Sequence, residues 1–190
     1  MARLREFDEE RALDRAVDCF WHRGYEATSV RDLADAMKIG GASLYNAYGG
    51  KRALFERSLE RYANRSMRER IERLEAEHRP GDAIRAFLSE IIERSLKDPD
   101  RKGCMLVNSA LDVAPHDAAI GKVVAGYLDE LRAFFRRNVE AAHLDLDAEE
   151  TAGHLLGVLL GIRVLARTGA RRKALEAVAR PALALLEGPR

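Results

Sequence analysis

The chain has 190 residues, of which 47% are apolar, so it can fold around a core and disorder is not the expected state. Its 32 lysines and arginines are almost balanced by 31 acidic residues, which excludes a protein that attracts nucleic acid through net charge alone. A nucleic-acid function would depend on where individual charges are placed.

The amino-terminal segment and the two cysteines predict a cytoplasmic protein. Residues 1–10 are polar and contain no apolar run typical of a secretory signal. The most apolar window, residues 152–166, is shorter than the roughly 18 residues that a membrane helix needs. Cys19 and Cys104 are far apart in the sequence, which fits a reducing compartment. We expect no membrane association.

Helical periodicity begins near the amino terminus. An apolar stripe that includes Val17 and Phe20 predicts a first helix over residues 8–23, and Gly24 is of the residue type that ends helices. Ser29 and Asp32 have the spacing of a capping box, which predicts the start of a second helix.

The "GG" pair at positions 40 and 41 predicts a sharp turn after the second helix. Gly40 and Gly41 accept backbone conformations that other residues resist, so we expect them to form the corner. Leu44 and Tyr48 then resume a helical period, which predicts a short third helix.

The remaining chain is also predicted to be helical. No segment alternates polar and apolar residues as a strand does, so the sequence indicates an all-α protein of about nine helices. The predicted helices run from residue 51 to about residue 78 and over residues 82–97, 104–113, 117–142, 148–167 and 172–186.

Two short helices joined by a tight turn are typical of a helix-turn-helix, whose second helix enters the DNA major groove. Arginine can bind a guanine edge, a methyl group can contact thymine, and hydroxyl, amide and ammonium groups can hold phosphates. The residues expected to supply these groups are Arg31, Ala42, Ser43, Tyr45, Asn46 and Lys51. The alternative is an ordinary helical hairpin that uses Tyr45 and Tyr48 as core.

Residues 12–55 resemble the amino-terminal DNA-binding domain of the TetR/AcrR family of bacterial transcriptional regulators. The motifs F-x-x-x-G-Y, T-S-V-R-D-L-A, S-L-Y and K-x-x-L-F stand in order at family spacing. The resemblance implies a homodimer that binds palindromic double-stranded DNA, with a three-helix head over residues 1–50 and an effector-binding and dimerisation body over residues 51–190. It also implies base-edge contacts by Arg31, Gly41, Ala42 and Tyr45, and phosphate contacts by Ser29, Ser43, Asn46 and Lys51.

Three positions depart from the family pattern. Gly40 and Gly41 stand where a polar cap and a polar or basic residue are usual, and Ala47 stands where histidine is frequent. Fewer polar groups would then reach DNA, although Arg3 and Arg5 could add contacts from an amino-terminal arm, the alternative being a solvated tail. A second hypothesis is therefore a dimeric helical protein-interaction module that has lost specific DNA binding.

A stripe of small residues marks the predicted helix over 148–167. Gly153, Gly157 and Gly161 recur every four residues and would let another helix approach closely. The family resemblance implies that this stripe belongs to the dimer interface, and the alternative is that it packs inside its own subunit.

The body is expected to hold a small-molecule effector that is mostly hydrophobic. The predicted pocket residues are Phe87, Ile91, Cys104, Met105, Asn108, Leu111, Tyr127, Phe134 and His154. Cys104 follows two cations at a predicted helix start, which favours a thiolate and makes it a candidate sensor of oxidants or electrophiles. The alternative is a small buried apolar residue. Release of a repressor from its operator by the effector is the expected mechanism.

No catalytic constellation is recognisable. The "GGKR" segment at residues 49–52 lacks the flanking residues of a phosphate-binding loop, and the histidines are scattered. The "HLDLD" segment at residues 143–147 is explained by helix-capping acids better than by a metal site. We expect neither enzymatic activity nor a metal or cofactor.

Overall fold

The computed structural model describes residues 8–187, and this range contains helices and no strand. The helices are α1 Glu9–Arg23, α2 Val30–Met37, α3 Gly41–Tyr48, α4 Lys51–Ala63, α5 Glu69–Glu77, α6 Pro80–Leu96, α7 Met105–Asp112, α8 Ala118–Ala141, α9 Ala148–Arg167 and α10 Arg172–Leu185. A π-helical segment, Asn64–Arg68, joins α4 to α5 without a break. If α4 to α5 is taken as one helix, residues 8–187 contain nine, which confirms the predicted all-α class.

The head is built by α1, α2 and α3 around side chains that are almost fully buried. Phe20 of α1, Leu33 of α2 and Leu44 of α3 are each at most 2% exposed. Phe55 of α4 packs its ring against Phe20, with 4.9 Å between the ring centroids. The apolar periodicity of these short helices is therefore used to brace α3 against α1 and α4.

The turn between α2 and α3 differs from the prediction. Gly40 has φ −70° and ψ 150°, and Gly41 is the first residue of α3, so neither glycine adopts the conformation that favours its residue type. Lys38 makes the corner instead, with φ 58° and ψ 43°. A left-handed residue with a side chain costs roughly 1–2 kcal/mol. The hydrogen bond from the Ile39 N–H to the Ala34 carbonyl, at 3.1 Å, helps to offset this cost by closing the end of α2.

The continuous helix that connects head and body contains the π-helical segment, which the sequence did not predict. Arg68, the last residue of that segment, donates to Glu130 of α8 through Nε at 2.7 Å and Nη2 at 2.6 Å. Helix α6 begins at Pro80, two residues before the predicted start, because proline is well suited to the first helical turn, where its missing N–H would have no partner.

The body packs α6, α8, α9 and α10 together, with α7 against α4, α8 and α9. Its centre is a set of three phenylalanine rings, Phe87, Phe134 and Phe135, whose centroids lie 5.1 to 5.9 Å apart. Within residues 8–187, no helix combines the length and the hydropathy needed to span a membrane.

Candidate nucleic-acid interface

Helix α3 presents a polar face outward and an apolar face inward. Leu44 and Tyr48 are 0% and 4% exposed and anchor the helix, whereas Tyr45 is 56% exposed. Ala42, Ser43 and Asn46 are exposed beside Tyr45. The hairpin alternative placed Tyr45 in the core and is wrong on this point, because the predicted groove-reading face is open to solvent.

The ring of Tyr45 lies against a glycine at the start of α4. Gly50 has φ 112°, and a Cβ built on it would lie 3.2 Å from Tyr45 Cε1. Gly49 ends α3 in the left-handed conformation, and its N–H donates to the Tyr45 carbonyl at 2.9 Å. These two glycines therefore define where α3 stops and how the tyrosine ring is held.

The amino-terminal end of α3 has no side-chain cap among the described residues. A Cβ built on Gly41 would meet no described atom within 4 Å outside its own helix backbone and chain neighbours. The first N–H groups of α3 are consequently open, and such groups are favourable partners for a phosphate.

The other residues predicted to contact DNA lie around α3, and they differ in their exposure and in their present partners. The Arg31 side chain is 92% exposed, and its nearest carboxylate, on Asp35, is 3.9 Å away. Lys51 Nζ lies 4.2 Å from the centroid of the Tyr25 ring, a cation–π contact. The Ser29 hydroxyl and N–H both donate to Asp32, at 2.5 and 2.9 Å. A phosphate contact by Ser29 would require the hydroxyl to change partner.

The Asp32 carboxylate completes the predicted capping box of α2. The Asp32 N–H donates to the Ser29 hydroxyl at 3.1 Å, which is the reciprocal bond of the motif. The hydrogen bonds from the Ser29 hydroxyl and N–H, together with Arg23, lower the pKa of Asp32 to about 2. Helix α2 is thus fixed at its start, before the turn that orients α3.

A short bracing helix and an exposed second helix at a tight turn define the helix-turn-helix class of DNA-binding proteins. Residues 12–57 match the bacterial regulatory proteins of the tetR family, and residues 80–181 match the C-terminal domain of LmrA/YxaF-like transcriptional regulators. The chain belongs to the TetR family of bacterial regulatory proteins, and it is a DNA-binding transcriptional regulator.

Individual relatives agree with this assignment. YezE, an HTH-type transcriptional regulator of Bacillus subtilis (strain 168), is 36% identical over 154 residues, which cover 80% of this chain and 79% of YezE. ComR, an HTH-type transcriptional repressor of Escherichia coli (strain K12), is 27% identical over 190 residues, covering 96% and 90% of the two chains. A solved structure of a cysteine mutant of the TetR family regulator CifR, complexed with 26-base-pair double-strand operator DNA, is also similar. Its TM-score to this chain is 0.85 at 34% sequence identity, and the match covers 96% of this chain and 98% of the CifR chain.

The predicted effector residues do not converge on one pocket. Phe87, Ile91 and Cys104 line a cavity of about 30 Å³. Met105 and Asn108 line a different cavity, of about 10 Å³, where α7 meets the head. The Tyr127 hydroxyl donates to Glu60 Oε2 at 2.6 Å, and both burial and this carboxylate raise the tyrosine pKa.

The prediction of inward-facing residues is also wrong for Leu111 and His154. Leu111 is 64% exposed, and His154 is also exposed, so neither lies on an inward face. Helix α7 is short, and its buried residues are Met105, Leu106, Val107 and Ser109, so Leu111 lies on its solvent-facing side. Phe134 is 0% exposed and belongs to the body core.

Cys104 is the amino-terminal cap residue of α7 and is half-buried. It neighbours Tyr62, whose pKa is raised first by burial and then, to a smaller degree, by Cys104. Cys19 is also half-buried, and burial raises the pKa of its thiol.

A cationic cavity was missed by sequence reasoning. It is a cavity of about 340 Å³ at the ends of α6 and α9, and its lining includes Arg94, Arg101, Arg163 and Arg167. These residues come from segments far apart in the chain, so no local motif signals their convergence.

Two of the three stripe glycines face open space. A Cβ on Gly153 or Gly157 would meet no described atom within 4 Å beyond the local helix backbone, whereas one on Gly161 would lie 4.0 Å from Val178 Cγ1 of α10. Packing inside the subunit therefore accounts for Gly161 and leaves the other two uncovered by the described chain.

The acidic segment before α9 has a capping role, as predicted. Asp147 accepts a hydrogen bond from the Glu150 N–H at 2.8 Å and caps α9. No group of three or more potential metal ligands occurs among residues 8–187. Arg3 and Arg5, the predicted amino-terminal arm, lie outside the described residues.

Proposed function

We propose that this regulator is a homodimeric repressor that binds a palindromic operator and leaves it when a small molecule binds the body. The observation that carries the proposal is the open face of α3, held on Leu44 and Tyr48, with its amino-terminal N–H groups uncapped. Two such faces are needed to read half-sites about one DNA turn apart.

The proposed contacts follow from this placement. Arg31, Gly41, Ala42 and Tyr45 would lie at base edges, and Ser43, Asn46 and Lys51 would hold phosphates together with Ser29 once its hydroxyl is released from Asp32. We place the boundary between head (1–50) and body (51–190) at the start of α4. Because Phe55 of α4 packs into the head core, movement of α4 would move the head.

The test is a fluorescence-polarisation titration with duplex DNA from upstream of the protein's own transcription unit. Tyr45→Ala and Arg31→Ala should each weaken operator binding by about 1–3 kcal/mol, the range for a base contact. Arg136→Ala is the matched control, because Arg136 is exposed on α8 in the body. Affinity should fall steeply with salt concentration. Equal, weak binding to operator and scrambled duplexes would instead support the protein-interaction module.

Release is proposed to occur by population shift, in which the effector stabilises a body conformation that turns α4 and separates the two heads. Effector and operator would then weaken each other's binding by the same factor. Calorimetric titration of the effector with and without operator measures this factor. Independent binding would rule the mechanism out.

A hydrophobic effector stays a prediction. The cavity lined by Phe87, Ile91 and Cys104 is about 30 Å³, far below the roughly 300 Å³ of a small ligand pocket, so such a molecule would have to open it. Release by an oxidant or an electrophile through Cys104 also stays a prediction. A Cys104→Ser variant that still leaves the operator fully after oxidation would remove that hypothesis.

A further inference from the structure

A cavity of about 340 Å³ lies between the carboxyl ends of α6 and α9 and the loop that precedes α7. Six of its lining residues carry positive charge: Arg94, Lys97, Arg101, Lys102, Arg163 and Arg167. Asp98 is the single acidic lining residue. Its carboxylate accepts hydrogen bonds from the backbone N–H groups of Asp100 and Lys102, at 3.2 and 2.7 Å, and so stabilises the loop backbone.

What distinguishes this cavity is that six cations without carboxylate partners line it together. Many arginines elsewhere are paired with carboxylates, as in Arg52 with Asp117 at 2.8 Å and Arg137 with Glu75 at 2.7 Å. Among the described residues, none of the six cavity cations has a carboxylate oxygen within 4.0 Å. Arg163 instead donates to the Ser95 hydroxyl at 3.2 Å.

A seventh cation, Arg70, is buried near this cluster and has one carboxylate neighbour. Arg70 is 6% exposed, and its Nη1 has no hydrogen-bond partner among the described residues. Glu90 lies 3.1 Å from Arg70 Nε but without hydrogen-bonding geometry. Burial, followed by the nearby charges of Arg94 and Arg163, lowers the pKa of Arg70 to about 10. Converging like charges at a half-enclosed site cost free energy that a bound anion would offset.

We infer that this cavity binds a small organic molecule with several oxyanion groups, carboxylates or phosphates, and that this molecule is the effector. Guanidinium groups bind both kinds of oxyanion through paired, charge-assisted hydrogen bonds. The volume suits a small ligand, and Trp21 and Tyr62 provide an aromatic wall. The assignment of the ligand as effector rests on the proposed repressor function, whereas the binding site itself does not.

The cavity touches the DNA-binding head directly. Trp21 belongs to α1 of the head, and its Nε1 donates to the Gly103 carbonyl at 3.2 Å. Lys102 Nζ lies 4.6 Å from the centroid of the Trp21 ring. An anion that draws Lys102 and Arg101 inward would pull on the loop that holds Trp21. Occupancy of the cavity is thereby coupled to the position of α1.

Trp21 is the single tryptophan of the chain, so its fluorescence reports on this cavity. The probes are citrate, pyrophosphate and orthophosphate, titrated into the full-length protein without DNA, with sodium chloride holding the ionic strength constant and glycerol as a neutral control. We expect a saturable fluorescence change with citrate or pyrophosphate. Saturation with citrate alone would indicate a carboxylate ligand, and with pyrophosphate alone a phosphate ligand.

Arg163→Gln and Arg167→Gln should each weaken probe binding about tenfold or more, as loss of a charge-assisted hydrogen bond does. Arg136→Gln removes the same charge from α8 outside the cavity and should leave the affinity for the probes unchanged. Arg94→Gln provides a second cavity variant should one of the others unfold, which circular dichroism would reveal. A linear, non-saturating response, or equal binding by Arg163→Gln and Arg136→Gln proteins, would overturn the site.

Operator binding then tests the effector assignment separately. A saturating probe should weaken operator binding by the wild-type protein and leave the Arg163→Gln protein unaffected, which excludes simple competition with DNA phosphates. Probe binding without any change in operator affinity would overturn the assignment as effector while the site stands. A protein that binds no operator at all would contradict the repressor proposal, and the fluorescence titration would still decide the site.

Discussion

Gly50 shows how one residue without a side chain determines the position of the Tyr45 ring, which is predicted to contact DNA. Its φ of 112° lies in a region that side chains rarely adopt, and an added Cβ would lie 3.2 Å from Tyr45 Cε1. A side chain here therefore strains the backbone and displaces the tyrosine. The same residue is the amino-terminal cap of α4, so the strain falls at the junction of head and connecting helix.

Gly50→Ala should lower the free energy of unfolding by about 1–3 kcal/mol, because its positive φ with an extended ψ is a conformation that essentially only glycine adopts, and should also weaken operator binding by moving Tyr45. Gly126→Ala is the control. Gly126 lies inside α8, and a Cβ there would meet no described atom within 4 Å beyond the local helix backbone. The Gly126→Ala protein should gain up to about 1 kcal/mol in free energy of unfolding from the higher helix propensity of alanine. Urea unfolding measures both changes, and equal stability of the two variants would contradict the prediction.

At the scale of one element, α2 depends on a carboxylate whose pKa is shifted. The folded-state pKa of Asp32, about 2, lies below its ordinary value of 3.8. The capping box therefore contributes its full stabilisation above pH 3.8 and loses it as the pH falls through 2. The cause is local, since the Ser29 N–H and hydroxyl donate to the ionised carboxylate.

Asp32→Asn should lower the Tm at pH 6 and have a much smaller effect at pH 2, because protonation has by then removed the same interaction from the wild-type protein. Differential scanning calorimetry of both proteins at the two pH values measures this difference. Asp35→Asn on the same helix is the control, since its 3.9 Å contact with Arg31 is a weak, exposed pair. An Asp32→Asn deficit that is equally large at pH 2 would show that the carboxylate charge is not the cause.

Element starts were predictable where the signal lies within a few residues. Ser29 caps α2, and Asp147 of the acidic segment at residues 143–147 caps α9, as the sequence predicts. The left-handed Lys38 was not predictable, because the neighbouring glycines are the residue types that favour such a corner. The π-helical segment Asn64–Arg68 was not predictable either, because Arg68 pairs with Glu130 of α8, 62 positions away.

The same distinction applies to the sites. The face of α3 was predictable because Leu44 and Tyr48 identify its buried side by their spacing. The cationic cavity was not, because it joins Ser95 on α6 to Arg163 on α9, 68 positions apart. Spacing patterns report on one helix at a time, and they carry no information on which helix ends meet.

At the scale of the whole molecule, head and body are joined by polar contacts as well as by α4. Arg52, in the first turn of α4, donates to both carboxylate oxygens of Asp117 at 2.8 and 3.1 Å, and Asp117 also caps α8. This pairing lowers the pKa of Asp117. It connects the start of α8 to α4, which packs into the head core, and the bond from Trp21 to Gly103 connects the loop before α7 to the head. A shift of the body would therefore reach α1 and α4 together.

The two copies of the head can be set at a fixed spacing only if the bodies associate, and the open glycines of α9 mark the expected contact. Gly157→Glu should convert the dimer to a monomer, because a charged side chain would enter a close helix–helix contact. The protomer itself should fold normally, since a Cβ at this position meets no described atom within 4 Å beyond the local helix backbone.

Gly126→Glu is the matched control for this change, as it places the same side chain on open helix surface of α8. Sedimentation velocity should show dimers for the wild-type and Gly126→Glu proteins and monomers for Gly157→Glu. Operator binding should be lost with the dimer, because one head reads one half-site. A dimeric Gly157→Glu protein would place the interface elsewhere, and a monomeric variant that still holds the full operator would contradict the two-headed mode of binding.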